Sequence, residues 1–253
     1  MVTQTYSSMC KVFIVVLFVL FGQALSKPRP SYIKACKVNS PDFDECALQN
    51  GRGALPYIVK GDRKYNIPKL NPLKLPVVNV DAGKDLNIKL TNIAAKGLEK
   101  VELDRVKIDT VKREVYLDMH MPRVELIGQY DINGKILILP IQGKGPCNIT
   151  GVEPKFQYHF KYVLDKVNDE EYMKLTDDDN LDFQLKRAYF NLENLFDGNK
   201  QLGDNMNQFL NENWQEVVKE IGGAISQTIR AVARAISSGY FKKVPYRELL
   251  IFD

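Results

Sequence analysis

The sequence predicts an α+β protein in which long antiparallel strands come first and a long amphipathic helix comes last. Three observations predict it. From Leu86 to Leu164 apolar and polar residues alternate with a period of two. From Asp204 to Ser238 the apolar residues instead recur every three or four positions. The first residues stand apart from both, with Lys11 ahead of an unbroken apolar run from Val12 to Phe21.

That leading run is too short for a bilayer, which takes roughly 20 residues. Ala24 and Ser26 supply small side chains ahead of Lys27, so residues 1–26 read as a cleaved secretory leader and 27–253 as a single domain. No later segment holds 18 uninterrupted apolar residues, so the mature chain is expected to have no integral membrane segment. The formal charge is +4, or +3 without Lys11, and the signs interleave in "KGLEKVELDRVKIDTVKRE". That pattern is a solvated strand face, not a nucleic-acid groove.

Cys10 leaves with the leader. In an exported chain Cys36 and Cys46 are expected to pair, closing a short loop worth about 3 kcal/mol, which leaves Cys147 over. Cys147 precedes Asn148 of "NIT", the chain's acceptor sequon for glycosylation. Neighbours on a strand point oppositely, so a glycan outward at Asn148 places the thiol inward, as a small hydrophobe. An intermolecular disulfide is the alternative.

The elements follow in order. Asp44 to Lys60 reads as a helix with a break, because Gly51, Gly53 and Pro56 interrupt it. Prolines 68, 72 and 76 set an extended course. Leu86, Ile88 and Leu90 alternate with Asn87, Lys89 and Thr91; Val115, Leu117, Met119 and Met121 alternate with Tyr116, Asp118 and His120. Pro122 and Arg123 interrupt, and the apolar set resumes at Val124, Leu126 and Tyr130. Asn133-Gly134 is a strong hairpin signal, turning the chain into "GKILILPIQGKGPCNIT". There Ile136 to Leu139 and Ile141 offer apolar side chains to both faces, so the second face needs a cover. Gly143 and Gly145 are expected to permit a bend or bulge.

Phe156, Tyr158, Phe160 and Tyr162 then face one way; Gln157, His159 and Lys161 face the other. "TDDDN" at 176–180 lacks the spacing of a calcium loop and reads as a turn or helix start. Leu181 to Leu195 supplies one strand or two. In the last third, Met206, Leu210, Trp214, Val217, Ile221, Ile225, Ile229, Val232 and Ile236 share one helical stripe. A helix over 204–238 is about 52 Å long, against roughly 45 Å for the diameter of a sphere of this size, so an elongated molecule is expected. Gly222 and Gly223 are candidate kink sites and Gly239 the stop.

An enzyme lacks its parts here. The chain has no G-x-S-x-G, no H-E-x-x-H and no C-x-x-C. His120 and His159 fall in the polar phase of their strands, and nothing in the sequence activates Cys147.

Cys36 and Cys46, "ALPYIVKG", "YNIPKLNPLKLP", "GKILILPIQGKGPCNIT" and "FKKVPYRELL", in that order over residues 32–250, resemble the insect takeout and juvenile hormone binding proteins. The resemblance implies an elongated, TULIP-like super-roll: a long C-terminal helix wrapped by a strongly curved antiparallel sheet around an apolar tunnel. It implies the Cys36–Cys46 disulfide too. It further implies a secreted carrier, in haemolymph or another extracellular fluid, of a juvenile-hormone-like terpenoid or fatty-acyl lipid, with no cofactor and no metal. The hormone-carrier branch has a second disulfide for which Cys147 has no partner, so the chain leans to the takeout branch.

The tunnel lining is then drawn from Met119, Met121, Leu126, Tyr130, Leu137, Leu139, Phe156, Tyr158, Phe160, Trp214, Ile221 and Ile225. Core packing is the simpler reading of the aromatic row. The adaptable methionines, with Tyr130 and Trp214 offering apolar bodies with polar tips, speak for a ligand. The rival class is an adaptor that docks to a receptor or another carrier with lipid as filling, and a lipid-modifying enzyme stands behind it. A carrier exchanges its ligand; a filling stays in place.

Overall fold

A computed structural model describes residues 26–81 and 85–252. Apart from Ser26, the expected leader lies outside the described residues. Nine strands run through them: β1 (Leu73–Asp81), β2 (Leu86–Lys96), β3 (Glu102–Asp109), β4 (Glu114–His120), β5 (Arg123–Ile136), β6 (Leu139–Val152), β7 (Lys155–Val167), β8 (Glu170–Gln184) and β9 (Arg187–Leu192). Helices α1 (Phe43–Lys60), α2 (Lys200–Glu212), α3 (Trp214–Phe241) and α4 (Tyr246–Leu249) complete the framework.

The expected single wrapped sheet is two antiparallel sheets, ordered β1-β2-β5-β6-β9 and β3-β4-β7-β8. Two prolines mark two of the four places where the chain changes sheet. Between β4 and β5, Met121 N–H donates to the Pro154 carbonyl at 3.1 Å; between β6 and β7, Glu153 N–H donates to the Pro122 carbonyl at 2.9 Å. Neither Pro122 nor Pro154 has an N–H to offer a ladder, which suits them to these two crossings.

The hairpin signal at Asn133-Gly134 is overturned. Gly134 pairs on one side with Leu86 and on the other with Ile141, well inside the sheet. Its φ of 143° and the Asp85 carbonyl, 2.0 Å from where a Cβ would sit, explain why glycine is needed there. The turn falls instead at Leu137-Ile138, since Ile136 pairs with Leu139. Ile138 is 85 % exposed at the tip, and Leu137 N–H donates to Glu220 Oε2 of α3 at 2.6 Å. The unusual run of apolar residues is thus a hairpin tip rather than a strand covered on both faces.

Gly143 and Gly145 create no bulge, because β5 and β6 pair without a register shift. They make room for the chain after β9: an added Cβ would meet Leu195 Cα at 2.8 Å and the Glu193 carbonyl at 2.5 Å. "TDDDN" is neither turn nor helix start but part of β8, where the register with β7 shifts between Phe160 and Tyr162. Leu181 to Leu195 supplies the end of β8 and all of β9.

The helices also differ from expectation. α1 is continuous, with Pro56 inside it. The 204–238 helix is two: α2 ends at Glu212 and α3 begins at Trp214, with Asn213 at φ −104°, ψ 31° between them. α3 is unbroken through Gly222 and Gly223 and runs past Gly239 to Phe241. Its 28 residues span about 42 Å, so helix length no longer argues for an elongated molecule.

α2 closes an open sheet edge. Asn207 Oδ1 accepts from Leu192 N–H and its Nδ2 donates to the Leu192 carbonyl, both at 2.9 Å; Asn211 treats Phe190 likewise at 2.9 and 2.7 Å. Two asparagines one helical turn apart therefore stand in for a strand beside β9. The Cys36–Cys46 disulfide is formed, and Cys147 is free and buried with Asn148 exposed beside it. The strand-phase reading of that pair holds.

Candidate functional site

α3 packs on β8 of one sheet and on β1 and β9, the two edges of the other. Its apolar stripe therefore meets both sheets. Near its start Val217 is 1 % and Ile221 8 % exposed, in a cluster with Tyr130, Ile141 and Leu210. Farther on the burial changes: from 222 to 239 no side chain of α3 is buried, although Ile225, Ile229, Val232 and Ile236 continue the stripe. Ile229 and Ala233 join a second cluster, built on Tyr158, Phe160 and Tyr162 of β7 and Met173, Leu175 and Leu181 of β8.

The candidate lining residues divide between these clusters. Tyr130 and Ile221 are buried in the first, with Leu126, Leu137, Leu139, Trp214 and Ile225 partly buried against it. Tyr158 and Phe160 are buried in the second, with Phe156 against it. Leu137 reaches the first cluster from a turn and not from a strand face. Met121 is buried where the chain changes sheet and Met119 is half-buried beside it; neither joins a described cluster. Trp214 opens α3, with the Arg187 guanidinium 5.5 Å from its ring.

Two residues that the sequence reading passed over matter here. Asp179 is a buried carboxylate: Tyr158 donates to Oδ2 at 3.1 Å and Arg234 lies 3.2 Å from Oδ1. Arg234 also donates to the Thr176 and Leu175 carbonyls and to Asp177, and Arg230 donates to the Asp179 carbonyl at 2.9 Å. These bonds tie α3 to β8. Burial, reinforced by the neighbouring Asp179, pushes the Tyr158 hydroxyl well above its ordinary pKa and keeps it a neutral donor. The signal was present in the strand period, because Met173, Leu175, Asp179 and Leu181 share one phase of β8 and are all buried. The second missed residue is Tyr240, in the phase of the α3 stripe just beyond Gly239.

The remaining chemical groups are quiet. Burial pushes the Cys147 thiol up, which makes it a poor nucleophile, and pushes Tyr130 up to about 12. His120 hydrogen-bonds Asp104 at 2.8 Å, and the half-exposed ring of His159 stacks on Tyr116 at 4.2 Å. Among the described residues no group of three or more His, Cys, Asp or Glu is placed to hold a metal, and no helix is long and apolar enough to cross a membrane. Two surface clefts, of about 540 Å³ between α1 and the start of β3 and about 470 Å³ at the β7–β8 hairpin, share no residue with the candidate lining.

The family model of haemolymph juvenile hormone binding protein (JHBP) matches residues 14–251. The chain belongs to that family. JHBP-family relatives include the circadian clock-controlled protein daywake of Drosophila yakuba, 27 % identical over 230 residues, with 87 % of each chain covered. Daywake of Drosophila melanogaster is 26 % identical over 231 residues, again with 87 % of each covered. Among solved structures, the crystal structure of Epiphyas postvittana Takeout 1 matches with a TM-score of 0.77 and 28 % identity, covering 87 % of this chain and all of that one. Sequence and fold thus agree on an insect takeout/JHBP protein, of a family of hydrophobic-ligand binders.

Proposed function

We propose that the mature chain, residues 27–253, is a single secreted domain that carries a small hydrophobic ligand, a terpenoid or a fatty-acyl lipid, between its sheets and α3. The observation that carries the reading is the half-buried apolar stripe of α3 from Ile225 to Ile236. A helix whose apolar face turned onto a close-packed sheet would bury those side chains as fully as Val217; side chains left accessible there leave room for an apolar guest. The JHBP membership supports the same class of ligand.

The chemistry of such a site is selection and shelter rather than catalysis. A ligand burying roughly 400 Å² of apolar area gains on the order of 10 kcal/mol gross, and association takes back several of these, which leaves micromolar to nanomolar affinity. The lining in this reading includes Leu126, Phe156, Trp214 and Ile225, and Asn148 carries the glycan on the outer face. Titration of delipidated protein with a fluorescent lipid, displaced by terpenoids, fatty acids and alcohols, tests it. Saturable displacement is expected; its absence with every one of these compounds defeats the reading.

A further inference from the structure

The hydroxyl of Tyr240 has no role in anything described so far. The side chain is 9 % exposed, and its oxygen is buried with no hydrogen-bond partner. Other buried tyrosines are satisfied: Tyr65 donates to the Pro28 carbonyl at 2.8 Å, Tyr130 to the Glu193 carbonyl at 2.6 Å and Tyr158 to Asp179, while Tyr162 and Tyr246 share a bond of 2.9 Å. A buried hydroxyl left unpaired costs stability, so such an atom marks a place where a partner belongs.

Its position says which kind of partner. Tyr240 follows Ile225, Ile229, Val232 and Ile236 on the same face of α3, and from Ile225 to Tyr240 that face runs about 22 Å. At its end the Tyr65 and Phe241 rings stand 6.1 and 5.5 Å from the Tyr240 ring. Phe241 packs both on the cluster of the four-stranded sheet and on the small cluster of Tyr65, Ile67, Tyr240 and Val244, so it bridges the two beside Tyr240. A long apolar wall closed by one unpaired donor matches a molecule with a long apolar body and one oxygen at its end.

Resting on the carrier reading, we propose that Tyr240 is the polar contact of the site, donating a hydrogen bond to a neutral terminal oxygen of the ligand, an ester, ketone or alcohol. The body of the ligand lies along Ile225, Ile229, Val232 and Ile236. Burial pushes the Tyr240 pKa well up, so the group remains a donor. A neutral acceptor is specified because a carboxylate buried against a single phenol loses its hydration without a contacting counter-charge.

The test compares the mature protein with Tyr240→Phe, both delipidated, by displacement of a fluorescent lipid with hexadecyl acetate, hexadecanol and hexadecane. The substitution is expected to weaken the acetate and the alcohol about fivefold, as one neutral hydrogen bond implies, and to leave hexadecane unchanged. The melting temperature without ligand should hold or rise, because an orphan has been removed. Equal effects on all three compounds, or none, overturn the proposal. So does a lower unliganded melting temperature with discrimination unchanged, which would assign the hydroxyl to a buried water. If wild-type protein binds none of the three, the carrier reading fails and takes this one with it; binding without discrimination sinks this one alone.

Discussion

The two halves of α3 present the same kind of apolar stripe to different surroundings. Toward the five-stranded sheet Val217 and Ile221 are buried, and the helix is held by packing. Farther along, Ile225, Ile229, Val232 and Ile236 are only half-buried, and the helix is held to the four-stranded sheet by Arg230 and Arg234 reaching the carbonyls and carboxylates of β8. The difference teaches that one amphipathic pattern serves as core where the sheet closes on it and as lining where long polar side chains fasten the helix instead. An arginine joins helix to strand across a gap that a leucine must fill.

The largest expected effect tests the fastening. Arg234→Met leaves the Asp179 carboxylate, 3 % exposed, without its closest cation. Breaking such a pair costs about 3 kcal/mol, to be read as a lower denaturation midpoint. Asp179→Leu combined with Arg234→Met should recover most of the loss, because no buried charge is then left over. A single variant as stable as wild type would mean that packing secures both halves and would erase the contrast.

A matched pair of substitutions sharpens it. Ile221→Ala and Ile229→Ala remove the same atoms two turns apart. At Ile221 the neighbours cannot collapse, and a loss of about 3 kcal/mol is expected. At Ile229, where the side chain is half-buried, the loss should be about 1 kcal/mol, with the larger consequence in lipid displacement. Denaturation and displacement on both variants check this; equal stability losses with equal affinities would place both residues in the same core.

What could be read from the sequence follows the same physical line. The period-two row Phe156, Tyr158, Phe160 and Tyr162 and the stripe of α3 were legible because burial on one face imposes its period on the chain. Asn133-Gly134 misled because its turn preference is local, whereas its place was decided by pairing with Leu86 and Ile141 on both sides. The helix break at Asn213 was hidden because the apolar phase continues across it from Leu210 to Val217. Asp179 was lost in an acidic run that looks solvated, although it shares the inward phase of Met173, Leu175 and Leu181. Half-burial itself has no sequence signature, since Ile221 and Ile229 are the same residue at the same helical spacing, and the site is therefore the least legible part of the molecule.

The smallest expected effect separates two adjacent carboxylates of β8. Asp179 points inward, whereas Asp178 is exposed and pairs with Lys161 at 2.7 Å. The hydrogen bond and charge of Lys161 hold Asp178 below the usual carboxylate range. A native pKa below the unfolded one means that the charged form is favoured by folding. Its stabilisation is present above the unfolded value and is lost as pH falls through the native one. Exposure lets water and salt screen the pair, so Asp178→Asn should match wild type at physiological ionic strength. Only at low salt and neutral pH should it fall slightly behind, and the gap should close again in acid below the carboxylate range. A salt-insensitive loss as large as that of Arg234→Met would show that Asp178 belongs to the inner fastening, and the contrast between the two faces of β8 would have to be redrawn.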